Sequence, residues 1–248
     1  MKIFICMDDT DQLKGPGTGH LAQELCEEIE KIGWGMCSAI SRHQLYEHED
    51  IPYTSHNSTM CFEADIAGDT LTPLIHYSSN FLQEKSAPGS DPGLCVSVDH
   101  PGLNRGKLTE FGQRAKQTVL NKEDAYQLAA KLNIHLSEHG GTGQGVVGAL
   151  AGVGLRLGGN DGRLRGWYHL GRKGESIAVS SLTAYDFIDW VRCENGALLT
   201  DDTPVFFGGE EVKTVLQNGK QVLLVKRKSN GAKPGHWTTL TKQEVKIY

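Results

Sequence analysis

Lys2 to Met7 is an apolar run that stops abruptly at carboxylates, the pattern of a buried strand. Beyond a glycine-rich turn, His20 to Ile32 places Leu21, Leu25, Ile29 and Ile32 at helical intervals with acids between them, and Gly33 follows as a stop. Met36 to Ser41 predicts a second strand and STMCFEADI (58–66) a third. After the loop SAPGSDPG, LCVSV predicts another buried strand. A β-α-β-β order predicts an α/β layered domain. The sequence turns polar between about Gly106 and Asn121, which predicts a domain boundary there. KEDAYQLAAKLNI then reads as an amphipathic helix with Asn121 as its N-cap. Next, HGGTGQGVVGALAGVGLRLGGNDG is a second glycine-rich turn entering a small-residue helix. From Trp167 on, SIAVSS, VFFGG and KQVLLVKRK alternate with turn signals such as Asn218-Gly219 and predict β-hairpins.

Composition narrows the picture. A chain of 248 residues, 38% hydrophobic and 22% charged, is long enough for one large or two ordinary soluble domains. Its net charge of -5 gives no general attraction to nucleic acid or anionic membrane. The six cysteines form no C-x-x-C pair and sit mostly in apolar contexts, so reduced buried thiols are expected rather than structural zinc. With no bilayer-spanning apolar run and no signal peptide, the expected location is the cytoplasm and no membrane partner is expected.

The candidate chemistry begins with Asp8, Asp9 and Asp11. Carboxylates this close repel unless a cation, donors or protonation relieves them, and magnesium takes such hard oxygen ligands beside substrate phosphates. They follow a strand, where open α/β sheets bind ligands. The bland alternative is an Asx-turn and cap cluster. GPGTGH (15–20) follows at once. Gly15, Gly17 and Gly19 let the backbone approach an anion at a helix N-terminus, although no Walker lysine is present. Thr18 at the helix mouth is placed to ligate metal, bond a phosphate or accept one, with N-capping as its ordinary role. In the second glycine turn, Gly141, Thr142, Gly143, Gln144 and Gly145 are anion-binding candidates, whereas Gly148 and Gly152 suit close packing of a helix on a sheet. HLSEH (135–139) matches an inverted zinc-protease pattern, but Ile134 and Leu136 alternate like a strand, so zinc is not expected. In PYTSHNST, His56, Asn57 and Ser58 are substrate-binding candidates or ordinary turn residues. The run Lys226, Arg227, Lys228 reads as a solvated strand edge.

These motifs resemble a known family. The strand followed by DDTD, with a glycine and a threonine beyond, resembles the opening of the archaeal agmatinylcytidine synthetases that modify an isoleucine tRNA, IDDTDSP-x-G-M-C-T-T. GTGQGVVGALAGVG is similar to that family's GNGRGLIGALAAIG, DPGLCV to NPGVVV, and ENGALLTDDTPVFFGGEE to the stretch where a ferredoxin-like domain meets an OB-fold. The resemblance implies a kinase-like α/β nucleotide-binding domain (1–115) followed by a ferredoxin-like domain with C-terminal β-hairpins (116–248), an α/β fold of α+β type. It implies ATP and Mg2+ as cofactors, metal ligation by Asp8, Asp9 and Asp11, and a phosphoryl-transfer role for Thr18. Departures are the loss of Ser-Pro after the aspartates, Gly19 for a second threonine, Gln144 for an arginine, and PYTSHNST for the family's PWKTRGNGA. At 248 residues a full OB-fold and zinc ribbon have no room, so tRNA is a lesser expectation than a small-molecule acceptor. The expectation is an Mg-dependent, ATP-using phosphoryl-transfer enzyme acting on a small molecule or nucleobase. The alternative is a non-catalytic nucleotide- or metabolite-binding module.

Overall fold

The computed structural model describes residues 1–12, 15–51, 56–227 and 236–248. It divides into two compact units, Met1–Gly158 and Gly159–Tyr248.

The first unit holds β1 (Lys2–Asp8), α1 (Thr18–Ile32), β2 (Gly35–Cys37), β3 (Ser41–Gln44), β4 (Ser58–Ile66), α2 (Leu71–Lys85), β5 (Gly93–Val98), α3 (Arg105–Ala115), α4 (Lys122–Leu132), β6 (His135–Glu138) and α5 (Gly145–Gly158). Its strands run in the order β6-β5-β1-β4-β3, with β2 also on β4, and every pairing is antiparallel. This is an α+β arrangement, so the rule for ligand sites in parallel sheets does not apply. β1 is apolar on both faces because both are covered. Ile3, Ile5 and Met7 pack with Leu21, Leu25 and Ile29 of α1 and Leu74 and Leu82 of α2. Phe4 and Cys6 pack with Leu108 and Phe111 of α3 and with Val146, Leu150 and Val153 of α5.

The compact units part at Gly158 rather than near residue 115. The polar stretch read as a boundary contains α3, whose Leu108, Phe111 and Ala115 form a narrow apolar stripe buried with α5. α4, β6 and α5 therefore belong with β1 and not with the later strands. Residues 36–41 likewise form no single strand, since β2 and β3 are separate pieces pairing different stretches of β4. Elsewhere the pattern is faithful. Gly33 caps α1 in the left-handed region (φ 82°), β4 spans 58–66, and Asn121 Oδ1 accepts the Asp124 amide at 2.8 Å to cap α4.

The second unit contains β7 (Arg163–Leu164), β8 (Ser176–Ala178), α6 (Val179–Leu182), β9 (Trp190–Cys193), β10 (Pro204–Phe206), β11 (Thr214–Gln217), β12 (Lys220–Arg227) and β13 (Trp237–Thr239). The order is β7-β11-β12-β13-β10-β8, with β9 parallel to β12. Asn218 and Gly219, both with positive φ, join β11 and β12 as the expected two-residue hairpin. The run read as a solvated strand edge instead ends an interior strand, where Lys226 and Arg227 pair with β13, Lys226 also pairs with Glu244 and Arg227 lies over Trp237, while Lys228 lies outside the described residues. All six cysteines are free thiols. No described helix is long and apolar enough to cross a membrane.

Candidate functional site

β1 delivers Asp8 and Asp9 to one end of the first unit's sheet. The strand ends because Asp9 adopts a left-handed conformation (φ 49°), which β pairing cannot continue. Beside them lies a cavity of about 440 Å³. One pole is acidic, lined by Asp8, Asp9, Asp11 and Thr18. Its apolar lining comes from Leu45, Ile51 and Val147 and from Ala115, Val119 and Leu120 around the link between α3 and α4. Its rim includes Asp50, His56, Asn57 and Ser58, and Thr142, Gln144 and Gly145 close it at the start of α5. Among the described lining residues there is no Lys or Arg.

The carboxylates are electrostatically strained. Burial pushes the Asp8 carboxyl up to about 8, with the charges of Asp9 and Asp11 adding to it. Asp9 is raised to about 6 by burial and by Asp91 and Asp11. Asp11 is raised mainly by burial, opposed by backbone amides, including that of Thr18, and by the charge of Arg42. The three do not form a ready-made metal cage. Among the described residues no three His, Cys, Asp or Glu groups gather in metal-holding geometry. Asp8 is pressed against α5, its Oδ2 overlapping the place where a Gly148 Cβ would stand. Asp11 Oδ2 instead lies 3.4 Å from the Cβ position of Gly17, at the mouth of α1.

Thr18 is the first residue of α1, and Gly17, not Thr18, is the N-cap. The Thr18 hydroxyl is buried and accepts a hydrogen bond from Thr10 Oγ1 at 3.1 Å. Of the glycines in the two motifs, Gly145 lines the cavity, whereas Gly15, Gly17, Gly141 and Gly143 do not, and Gly19 lies within α1. Gly141 and Gly143 have positive φ, and a Cβ there would overlap the carboxylates of Asp91 and Glu138. Asp91 accepts both the amide and the hydroxyl of Thr142, the hydroxyl at 2.7 Å. Lys122 Nζ donates to the Thr142 carbonyl at 2.8 Å and to Glu138 at 3.3 Å, so the loop is held from both sides.

At the rim, His56 Nδ1 lies 3.2 Å from Glu47, Asn57 donates to the Tyr46 carbonyl at 2.6 Å, and Ser58 Oγ accepts from Arg42 Nε at 2.9 Å. The preceding residues, 52–55 of PYTSHNST, lie outside the described residues. HLSEH is a strand as expected. His135 and His139 both bond to Ser137 Oγ, at 3.0 and 2.8 Å, and hold no metal-ligand geometry. Sequence reading passed over Asp91, Arg42, Leu45 and the α3–α4 link. Asp91 alone carried a signal, as the residue before Pro-Gly at the start of β5.

No family model matches the chain. Two curated relatives are 2-agmatinylcytidine synthetases of an isoleucine tRNA, both named TiaS. That of Thermococcus sibiricus is 29% identical over 163 residues, covering 63% of this chain and 36% of its own. That of Archaeoglobus fulgidus is 30% identical over 167 residues, with the same coverage of 63% and 36%. The solved complex of TiaS with its isoleucine tRNA and ATP matches with a TM-score of 0.55 at 20% identity, over 88% of this chain and 51% of that one, which shows a shared fold. The chain thus spans 36% of the length of the curated relatives it matches. Over 63% of its length in sequence, and in fold, this chain is similar to the isoleucine-tRNA 2-agmatinylcytidine synthetases.

Proposed function

We propose that the chain is a magnesium-dependent, ATP-using phosphoryl-transfer enzyme acting on a small molecule or a nucleobase. The observation that carries this reading is the cavity's acidic pole. Asp8, Asp9 and Asp11 meet there beside Thr18 and Gly145, the first residues of α1 and α5. Helix starts present free amides to phosphate, and buried, mutually repelling carboxylates favour a cation. Related proteins support the nucleotide, since TiaS has been solved with tRNA and ATP and with AMPCPP and agmatine.

The donor set fits magnesium. Its oxygens are hard, burial and mutual repulsion raise the carboxyls, and the lack of a three-ligand cage suits an ion that takes one or two carboxylates plus phosphates and water. Bound by Asp8, Asp9 or Asp11, it supplies neutralisation of phosphate charge. Thr18, which accepts from Thr10, keeps its own O–H to donate to a phosphate oxygen. Of the turn at Gly141–Gly145, Gln144 and Gly145 line the cavity and would offer their amides to a phosphate, while the Thr142 amide is held by Asp91. The apolar wall of Leu45, Ile51 and Val147 suits the face of a base, and His56, Asn57 and Ser58 border the acceptor side.

Thermal shift with Mg-ATP and phosphate release, on wild type and Asp9→Ala, test the reading. The expected result is stabilisation and slow hydrolysis by wild type only, and equal behaviour of the two proteins sinks it. Amines, nucleosides and tRNA as acceptors in the same assay identify the receiving group.

A further inference from the structure

Arg42 stands on β3 opposite Met60 of β4. Its Nε is anchored on Ser58 Oγ at 2.9 Å, and Ser58 lines the cavity. Its charge and that of Asp11, another wall residue, act on each other. The neighbouring acid Glu47 bonds to Gln44 Nε2 at 3.0 Å and to His56. Among the described residues the two terminal nitrogens of Arg42 make no hydrogen bond, and neither is sealed from solvent. A guanidinium keeps its proton at any physiological pH, and half-burial strips part of its hydration. Two unbonded N–H edges on a fixed, partly desolvated fork match the paired oxygens of a phosphate.

The cavity makes this more pointed. Its described wall carries four carboxylates, Asp8, Asp9, Asp11 and Asp50, and no cationic side chain. An anion entering such a pole meets repulsion that one divalent ion only partly offsets, so a cation anchored on a wall residue, as Arg42 is on Ser58 without itself belonging to the lining, decides whether anions bind. We propose that Arg42 is the anion-recognition residue of this cavity, its terminal nitrogens donating to non-bridging phosphate oxygens on the Ser58 side. That the anion is a nucleotide's phosphate chain rests on the function proposed above. That Arg42 takes a phosphate oxyanion does not.

Calorimetric titration of the full chain in magnesium buffer, with ATP, pyrophosphate and adenosine as separate probes, tests both parts. The expected result is that R42M weakens ATP and pyrophosphate about 10- to 100-fold, the range for a charge-assisted hydrogen bond, and leaves adenosine unchanged. R42K, which keeps the charge but loses the fork, falls between. Wild-type affinity for pyrophosphate in a folded R42M overturns the inference, as does failure of wild type to bind either anion. If pyrophosphate binds in an Arg42-dependent way and ATP does not, the nucleotide reading falls and Arg42 stands. Should R42M fail to fold, R42Q serves in the same comparison. A role limited to balancing Asp11 would alter the pH profile while leaving the preference for ATP over adenosine intact, and that outcome also overturns it.

Discussion

The carboxylate of Asp8 occupies the space that a side chain at Gly148 would need, with Oδ2 inside the reach of the missing Cβ. Replacing a mid-helix glycine by alanine ordinarily stabilises a helix by about 1 kcal/mol. Here the sign reverses. Gly148→Ala forces Asp8 or α5 to move and should lower stability by about 1–3 kcal/mol, the usual range for overpacking. Gly152→Ala, which meets Cys6 Sγ, should cost a similar amount without touching the acidic pole. Urea titrations of the two variants check this, and only Gly148→Ala should also abolish Mg-ATP binding.

Asp8 and Asp9, raised from 3.8 to about 8 and about 6, make the metal-free protein sensitive to alkali. Both folded-state values lie above those of an unfolded chain, so proton uptake favours the fold. That contribution is complete below about pH 4 and is lost as pH rises through 6 and then 8. Asp8→Asn should therefore stabilise the metal-free protein at pH 8, by on the order of 2 kcal/mol, while removing magnesium-dependent stabilisation. Melting curves from pH 4 to 9, with and without magnesium, measure both effects.

Glu63 sets an opposite, acid limb. Burial opposes its ionisation, but Arg156 at 3.1 Å and Lys2 at 2.9 Å outweigh it and hold the carboxyl below its ordinary value of 4.5. The stability this contributes is present above about pH 4.5 and is lost as pH falls below it. Glu63→Gln leaves the buried Arg156 without its counter-charge and should cost about 2–3 kcal/mol at neutral pH. The acid limb of the melting profile should flatten in the same variant.

Asp91 and Lys122 hold Thr142 from opposite sides, and neither need touch a ligand to matter. Asp91→Ala frees the amide and hydroxyl of Thr142, so the loop loses its fixed shape. Steady-state kinetics should show a KM for ATP raised roughly tenfold, in keeping with the loss of one charge-assisted bond, with a smaller change in kcat. Asp91→Asn, which still accepts from the hydroxyl, should recover part of it. An unchanged KM in a folded Asp91→Ala would falsify the positioning role.

What was legible in the sequence were the parts whose signal is local. Asp8, Asp9, Asp11 and Thr18 sit within one strand–turn–helix passage, and the structure brings them into one cavity with Gln144 and Gly145. Asn121, Gly33 and the Asn218-Gly219 turn declared themselves through capping and turn chemistry. Two helices were missed because their apolar stripes are thin. α2 carries Pro73 within its first turn, and α3 combines Gly106 and Gly112 with many charges. Residues whose role depends on distant pairing stayed hidden. Arg42 is one polar position on a short strand until β3 pairs with β4 and brings Ser58 to it. The wall at Thr118 and Val119 exists only because α3 packs along α5.

Every described residue of the cavity wall lies between Asp8 and Gly148, inside the first compact unit. The cavity is therefore a cassette. Recombination downstream of Gly158 can exchange or lengthen the chain without rewriting a single described wall residue.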